Sequence, residues 1–262
     1  MIPAAVATAK AADIAVVMVG LCADHCAGKG RTENEGNDRG PGGTGWHTLG
    51  LPGAQEDLLQ AVVAAQPKTV LVMINGGMLD ISWAKEHVPA IVEAYYPGQL
   101  GGEAIMNTLL GANNPGGKTP VTWYPSSILA RDMHDMDLTS GDGLTHLYYK
   151  GKTLWPFAWG LSYTTFTYAW TSSAVAAQEA LHSTSALVFG GRTSKEQSIG
   201  NALSAGYECT VTNTGKRAGD AVVLGFVNST DPQYPRQKLF DFERVSLDPG
   251  ETKTVPPSSC LQ

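Results

Sequence analysis

YYPGQLGGEAIMNTLLGANNPGGKTPVTWYP, Tyr95 to Pro125, is the stretch that decides the fold. Pro97 and Gly98 break the apolar run Ala90 to Tyr96, and Gly101 and Gly102 let backbone and helix approach closely. Ile105, Met106, Leu109 and Leu110 then recur at helical spacing, and Pro115-Gly116-Gly117 stops that helix before a new strand, Val121 to Tyr124. A strand end, a Gly-rich turn, a short helix, a second Gly/Pro turn and a strand make one α/β unit with more punctuation than such a unit needs.

The same grammar extends toward the N-terminus. Ile14 to Gly20 is a short apolar run, as expected of a strand covered on both faces. Pro52-Gly53 opens a helix whose Leu58, Leu59, Val62 and Val63 form one stripe. Thr69 to Ile74 reads as a second buried strand closed by Asn75-Gly76-Gly77, and Ser82 to Glu86 as a short helix before a third strand, Ala90 to Tyr95. The Ala-rich start, MIPAAVATAKAAD, reads as a helix preceding the first strand. Alternation at this spacing predicts a three-layer α/β/α sandwich with a mainly parallel sheet over residues 1–160.

After Gly160 the period becomes two. Tyr163 to Trp170, Tyr207 to Thr212, Ala221 to Val227, Leu239 to Leu247 and Thr252 to Val255 read as strands of an immunoglobulin or fibronectin type III-like β-sandwich over 161–262. Residues 171–206, rich in Ser, Ala and Gly, read as a flexible insertion. About seven strands complete such a sandwich, so the five read here predict a truncated one.

With 18 basic against 24 acidic residues and a net charge of −6, the chain lacks the basic face that phosphate binding needs, which excludes nucleic acid as a partner. No apolar run approaches the ~20 residues that span a bilayer, and the N-terminus has no basic start, apolar core and cleavage site. No membrane association and no signal peptide are therefore read from the sequence. Cys22-x-x-His25-Cys26 lacks the second ligand pair a structural zinc needs, so a local disulfide or free thiols are read there and no metal site. Asn228-Ser229-Thr230 is a glycosylation sequon. Neither Gly-rich segment, 36–45 or 111–117, has the spacing of a phosphate-binding loop.

Five blocks in order resemble glycoside hydrolase family 3, the β-glucosidase and β-xylosidase family. They are ENEGNDR (Glu33 to Arg39) with LGLPGAQ (Leu49 to Gln55), NGGMLDISWAK (Asn75 to Lys85), the opening stretch, THLYYKGKTLWPFAWGLSYTTF (Thr145 to Phe166), and VTNTGKRAGDAVV with LFDFERVSLDPGET (Val211 to Val223, Leu239 to Thr252). ENEGNDR together with YYKGKTLWPF is most similar to the β-xylosidase-like branch. The resemblance implies the C-terminal α/β domain and the fibronectin type III-like domain of an extracellular glycosidase, with no cofactor. It also implies a (β/α)8 barrel, in cis or in trans, that carries the nucleophilic aspartate; no position of this sequence matches that residue.

Retaining glycosidases use two carboxyl groups about 5 Å apart, one attacking the anomeric carbon and one protonating the leaving oxygen. In the family the proton donor is a glutamate on a loop of the α/β domain, and the match here falls on Glu33 to Arg39. Glu33 is the favoured acid/base and Glu35 the competing one, each able to raise the other's pKa. Asp38 and Arg39 suit loop bracing through a carboxylate–guanidinium pair. Trp46 and His47 could stack on the sugar of a glycoside or oligosaccharide substrate, against a competing role as surface anchors. Trp123, Trp155 and Trp159 are expected to pack, and His87, His134 and His146 to be ordinary surface or core residues. A chain without its barrel is expected to be inactive alone and to expose an apolar face. The alternative is a non-catalytic carbohydrate- or protein-binding module.

Overall fold

The computed structural model describes residues 1–21, 49–132, 134–171, 208–229, 231 and 234–255. The chain divides into two compact units: an α/β unit of Met1–Leu110 with Thr119–Trp159, and a β unit of Gly111–Lys118 with Gly160–Gln262.

In the α/β unit, helix α1 (Ile2–Lys10) precedes strand β1 (Ala15–Gly20), and helix α2 (Gln55–Ala65) crosses to β2 (Thr69–Ile74). Helix α3 (Ser82–His87), strand β3 (Ala90–Glu93) and helix α4 (Gly101–Leu109) follow. Glu56 and Asp57 occupy the first turn of α2, where acidic side chains complement the helix dipole. The strands pair in the order β1-β2-β3, all parallel. Val17, Val19, Leu71 and Met73 pack with Ala9 of α1, Leu59 and Val62 of α2, and Ala84 of α3 into one core. At about 25 cal/mol per Å² of apolar area, this burial drives the fold.

Two expectations are corrected here. The run at β1 is covered on one face only: Ala15, Val17 and Val19 are buried, whereas Ile14, Val16 and Met18 are 59%, 48% and 54% exposed. An uninterrupted apolar run reports hydrophobicity without saying which face is roofed. Val121 to Tyr124 is no regular strand but an extended segment with one antiparallel bridge, Trp123 to Trp155. Thr119 and Trp123 bond to Trp159 and Trp155, while Pro120 and Pro156 lack the amides a continuous ladder would need.

The β unit holds β4 (Phe166–Trp170), β5 (Cys209–Asn213), β6 (Gly219–Asn228), β7 (Gln237–Leu247) and β8 (Thr252–Val255). One antiparallel sheet has the order β4-β5-β8, and β6 pairs with β7. Val211, Ala221, Leu247 and Val255 form its core, with Phe166, Val223 and Val245 packed against them. Asn213 pins this unit from inside. Its Oδ1 accepts bonds from the Thr164 hydroxyl (2.7 Å) and the Gly215 amide (3.1 Å), and its Nδ2 donates to the Arg217 (2.8 Å) and Leu247 (3.0 Å) carbonyls. Segment 111–118 is held here by Asn114, which donates to the Ala218 carbonyl at 2.9 Å and accepts from Ser162 and Tyr163. A parallel sheet with helices followed by antiparallel sheets is the α/β/α-plus-sandwich class. The residues read as a flexible insertion, 171–206, lie outside the described residues apart from Thr171.

Candidate functional site

Parallel strands place their carboxyl ends along one edge, and in open α/β sheets that edge is where ligands bind. Here the edge is built from Gly20, Ile74-Asn75 and Glu93. Gly20 has φ +151°, and a Cβ on it would lie 1.9 Å from the Ile74 carbonyl oxygen, so β1 ends in a turn no side chain fits. Gln55 at the start of α2 clips that turn. Its Oε1 accepts the Gly20 amide at 2.8 Å and its Nε2 donates to the Gly20 carbonyl at 3.0 Å. Leu21 then donates to the Ile74 carbonyl at 2.9 Å, and the chain is held again where Asp80 donates its amide to Leu49 at 2.7 Å.

Asp80 is itself fixed. Its carboxylate accepts the Ser82 amide (3.1 Å) and hydroxyl (2.5 Å) and the Ser126 amide (2.6 Å). Burial opposes its charge, yet the bonds from Ser126 and Ser82 outweigh that and hold the carboxyl below the usual range. Asp80 thereby ties the Leu49 anchor to α3 and to segment 126.

Glu93 behaves in the opposite sense. Burial pushes its carboxyl up to about 7, against the opposing pull of bonds from the Tyr95 amide and the Asn75 side chain. Those bonds are 2.9 Å and 3.4 Å long. Among the described residues no cation pairs with it. Four side-chain polar atoms of the described residues are buried and unsatisfied: Asn75 Oδ1, the Tyr95 and Thr122 hydroxyls and Trp123 Nε1; Asn75 and Tyr95 are the residues bonded to Glu93. The Tyr95 hydroxyl faces the Trp123 indole without reaching hydrogen-bond geometry, and burial first, then the Glu93 charge, raises its pKa. Tyr95 also has φ +50°, a conformation that costs a non-glycine residue energy. A carboxyl poised near neutrality can donate or accept a proton, and Asn75 Oδ1 and the Tyr95 hydroxyl beside it are left without partners.

Every proposed site residue, Glu33, Glu35, Asp38, Arg39, Trp46 and His47, lies outside the described residues, as do Cys22, His25 and Cys26. Their two anchors, Gly20-Leu21 and Leu49, are the described flanks of that segment. Of the tryptophans expected to pack, Trp123 and Trp155 do so and Trp159 does not. Trp123 is buried edge-to-face against Trp155 at 5.6 Å, while Trp159 is 44% exposed. His87 stacks on Trp83, His146 stacks on Phe157, and His134 is exposed beside Asp132. Glu93, Asn75 and Tyr95 were not singled out from the sequence. A lone acid inside the apolar run AIVEAYY, aligned with the Asn-Gly-Gly turn of the neighbouring strand, was the available signal.

The parallel sheet with its helices defines an α/β domain, followed in the chain by antiparallel sheets. Residues 1–163 match the Glycosyl hydrolase family 3 C-terminal domain, and the chain belongs to that family. It is 37% identical to Beta-D-xylosidase 1 of Arabidopsis thaliana over 96% of this chain and 33% of the relative. It is 33% identical to Beta-xylosidase of Formosa agariphila over 97% of this chain and 31% of the relative. Among solved structures it is similar to a GH3 exo-beta-xylosidase (XlnD) in complex with a xylobiose aziridine probe, with TM-score 0.71 and 25% identity over 98% of this chain and 32% of that one. Beta-glucosidase from Kluyveromyces marxianus gives TM-score 0.68 and 27% identity over 97% of this chain and 27% of that one. The chain thus spans about a third of the curated relatives it matches.

Proposed function

We propose that this chain is the acid/base-bearing portion of a retaining β-glycosidase that releases β-linked xylose, arabinose or glucose from oligosaccharides outside the cell. The observation that carries this reading is the match of nearly the whole chain to β-xylosidases. Glu33 protonates the leaving oxygen while a carboxylate on a barrel attacks the anomeric carbon; water then displaces that carboxylate and returns its proton to Glu33. Glu35 is the competing donor. Asp38 and Arg39 brace the loop, and Trp46 and His47 flank the leaving group. The double clip at Gly20 and the Leu49–Asp80 bond support this assignment, because a proton donor works only when its flanks are fixed. The partner is a (β/α)8 barrel, in cis or in trans, and without it the chain turns nothing over.

Hydrolysis of nitrophenyl β-xyloside by the purified chain, alone and with a family barrel supplied as a second polypeptide, tests this. We expect no turnover alone and turnover in the mixture. Turnover by the chain alone that Glu33→Gln abolishes would show the site to be self-sufficient, and no gain from any barrel would count against the assignment.

A further inference from the structure

Asn228 ends β6 on a face that the core does not use. Ala221 is buried and Val223 packs against the same core, so the two-residue alternation of a strand turns Val222, Leu224, Phe226 and Asn228 to the opposite face. The register slips by one between Gly225 and Phe226, but the extra residue, Phe240, lies in β7, so the alternation of β6 runs through. On that outer face Phe242, paired with Leu224, is 67% exposed. Asn228 is itself exposed and, paired with Gln237, is the last residue of the ladder. Beyond it the Ser229 amide donates to the Arg236 carbonyl at 3.1 Å and the Asp231 amide donates to Ser229 Oγ at 3.1 Å, which fixes the way out of the strand. Asn228-Ser229-Thr230 is the one Asn-x-Ser/Thr triplet in the sequence, and an aromatic residue, Phe226, stands two positions before its asparagine.

We propose that Asn228 carries an N-linked glycan whose first N-acetylglucosamine lies on the ring of Phe226. The proposal rests on the extracellular part of the reading above, because this modification is made on chains entering the secretory route. The sugar comes from a polyprenyl-pyrophosphate-linked oligosaccharide. Asn228 Nδ2 attacks its anomeric carbon and a C–N bond forms. The C–O bond to the pyrophosphate breaks, its electron pair leaves on that oxygen, and Nδ2 gives up one proton. Phe226 gives the site its shape. It lies two residues back on the same face, at ~3.3 Å per residue, a span that one asparagine side chain and one pyranose cover. One face of a β-linked pyranose presents mainly C–H groups, which suit the apolar face of an aromatic ring. A sugar laid there also covers apolar surface at the end of a two-stranded ladder.

Secretion of the full chain from a eukaryotic host behind a leader peptide provides the test. We expect mass spectrometry to find a glycan on Asn228 that peptide N-glycosidase releases and that Thr230→Ala abolishes. Trimmed to one N-acetylglucosamine, the chain should exchange amide hydrogens at 226–228 and 237–239 at least threefold more slowly than Asn228→Gln. Phe226→Leu keeps apolar bulk without a ring; it should stay glycosylated and lose that slowing, whereas Phe226→Tyr should keep it. An unmodified Asn228 in the secreted chain overturns the proposal. So does a glycan that leaves exchange unchanged, or a slowing that survives in Phe226→Leu. Xyloside hydrolysis by the same secreted chain mixed with a family barrel separates the two readings. A glycan on Phe226 without hydrolysis sinks the glycosidase assignment alone, and hydrolysis with Asn228 unmodified sinks the glycan alone.

Discussion

Asn75 and Asn213 are both fully buried, one in each unit, and they are treated oppositely. Asn213 makes four hydrogen bonds, two accepted by Oδ1 and two donated by Nδ2, and so uses the side chain's full capacity. Asn75 donates to the Gly77 carbonyl at 2.5 Å and weakly to Glu93, and its Oδ1 has no partner. The interior of the β unit is closed by its own residues. The carboxyl edge of the parallel sheet leaves acceptors and donors unmatched beside a carboxyl of raised pKa. A saturated polar core stabilises, whereas an unsaturated one gives up stability where a fold does its chemistry.

The largest consequence is expected at Asn213. Asn213→Ala strands a hydroxyl, an amide and two carbonyls, and should destabilise the β unit by about 4 kcal/mol, read as faster hydrogen exchange in β5 and β7. An effect no larger than that of Asn75→Ala would break the contrast.

Next is the pH dependence set by Glu93. Its folded pKa of about 7 exceeds the ordinary 4.5, so between those values the folded state holds more protons than the unfolded one. Stability contributed by the neutral carboxyl is full below about pH 4.5, falls as pH rises, and is lost above about 7. The loss is on the order of 3 kcal/mol. Urea midpoints between pH 4.5 and 8 should trace that decline, and Glu93→Gln should flatten it. A wild-type profile that rises over the same range would contradict the burial argument.

Gly20→Ala should cost about 2 kcal/mol, because the new methyl meets the Ile74 carbonyl and the backbone is held at φ +151°. Exchange at Leu21 should quicken more than at Leu71. The smallest effect is expected at Asn75. Asn75→Ala removes one good bond and should cost about 1 kcal/mol.

Much of this architecture was legible in the residues. Thr69 to Ile74 is β2 with the bounds its apolar run gave, and the stripe Leu58, Leu59, Val62, Val63 supplied the helix that roofs the core. Segment 121–124 was read as a strand because its residues favour one; Pro120 and Pro156, which delete ladder donors, decided otherwise. The open face of β1 was illegible in principle, since hydrophobicity names what wants covering and leaves the cover unspecified. Glu33 and Glu35 came from resemblance rather than from periodicity or spacing. Glu93, by contrast, was overlooked although its charge interrupts an apolar strand.

The most direct test of the proposed proton-donor assignment is leaving-group dependence in the chain combined with a barrel of the family. With Glu33→Gln, kcat/KM for an alkyl β-xyloside should fall by ~10²–10⁴, because that alkoxide needs a proton to leave. The same variant should act on dinitrophenyl β-xyloside, whose leaving group needs none, at close to the unmodified kcat/KM. Equal losses on both substrates, or no loss on either, would contradict the role given to Glu33.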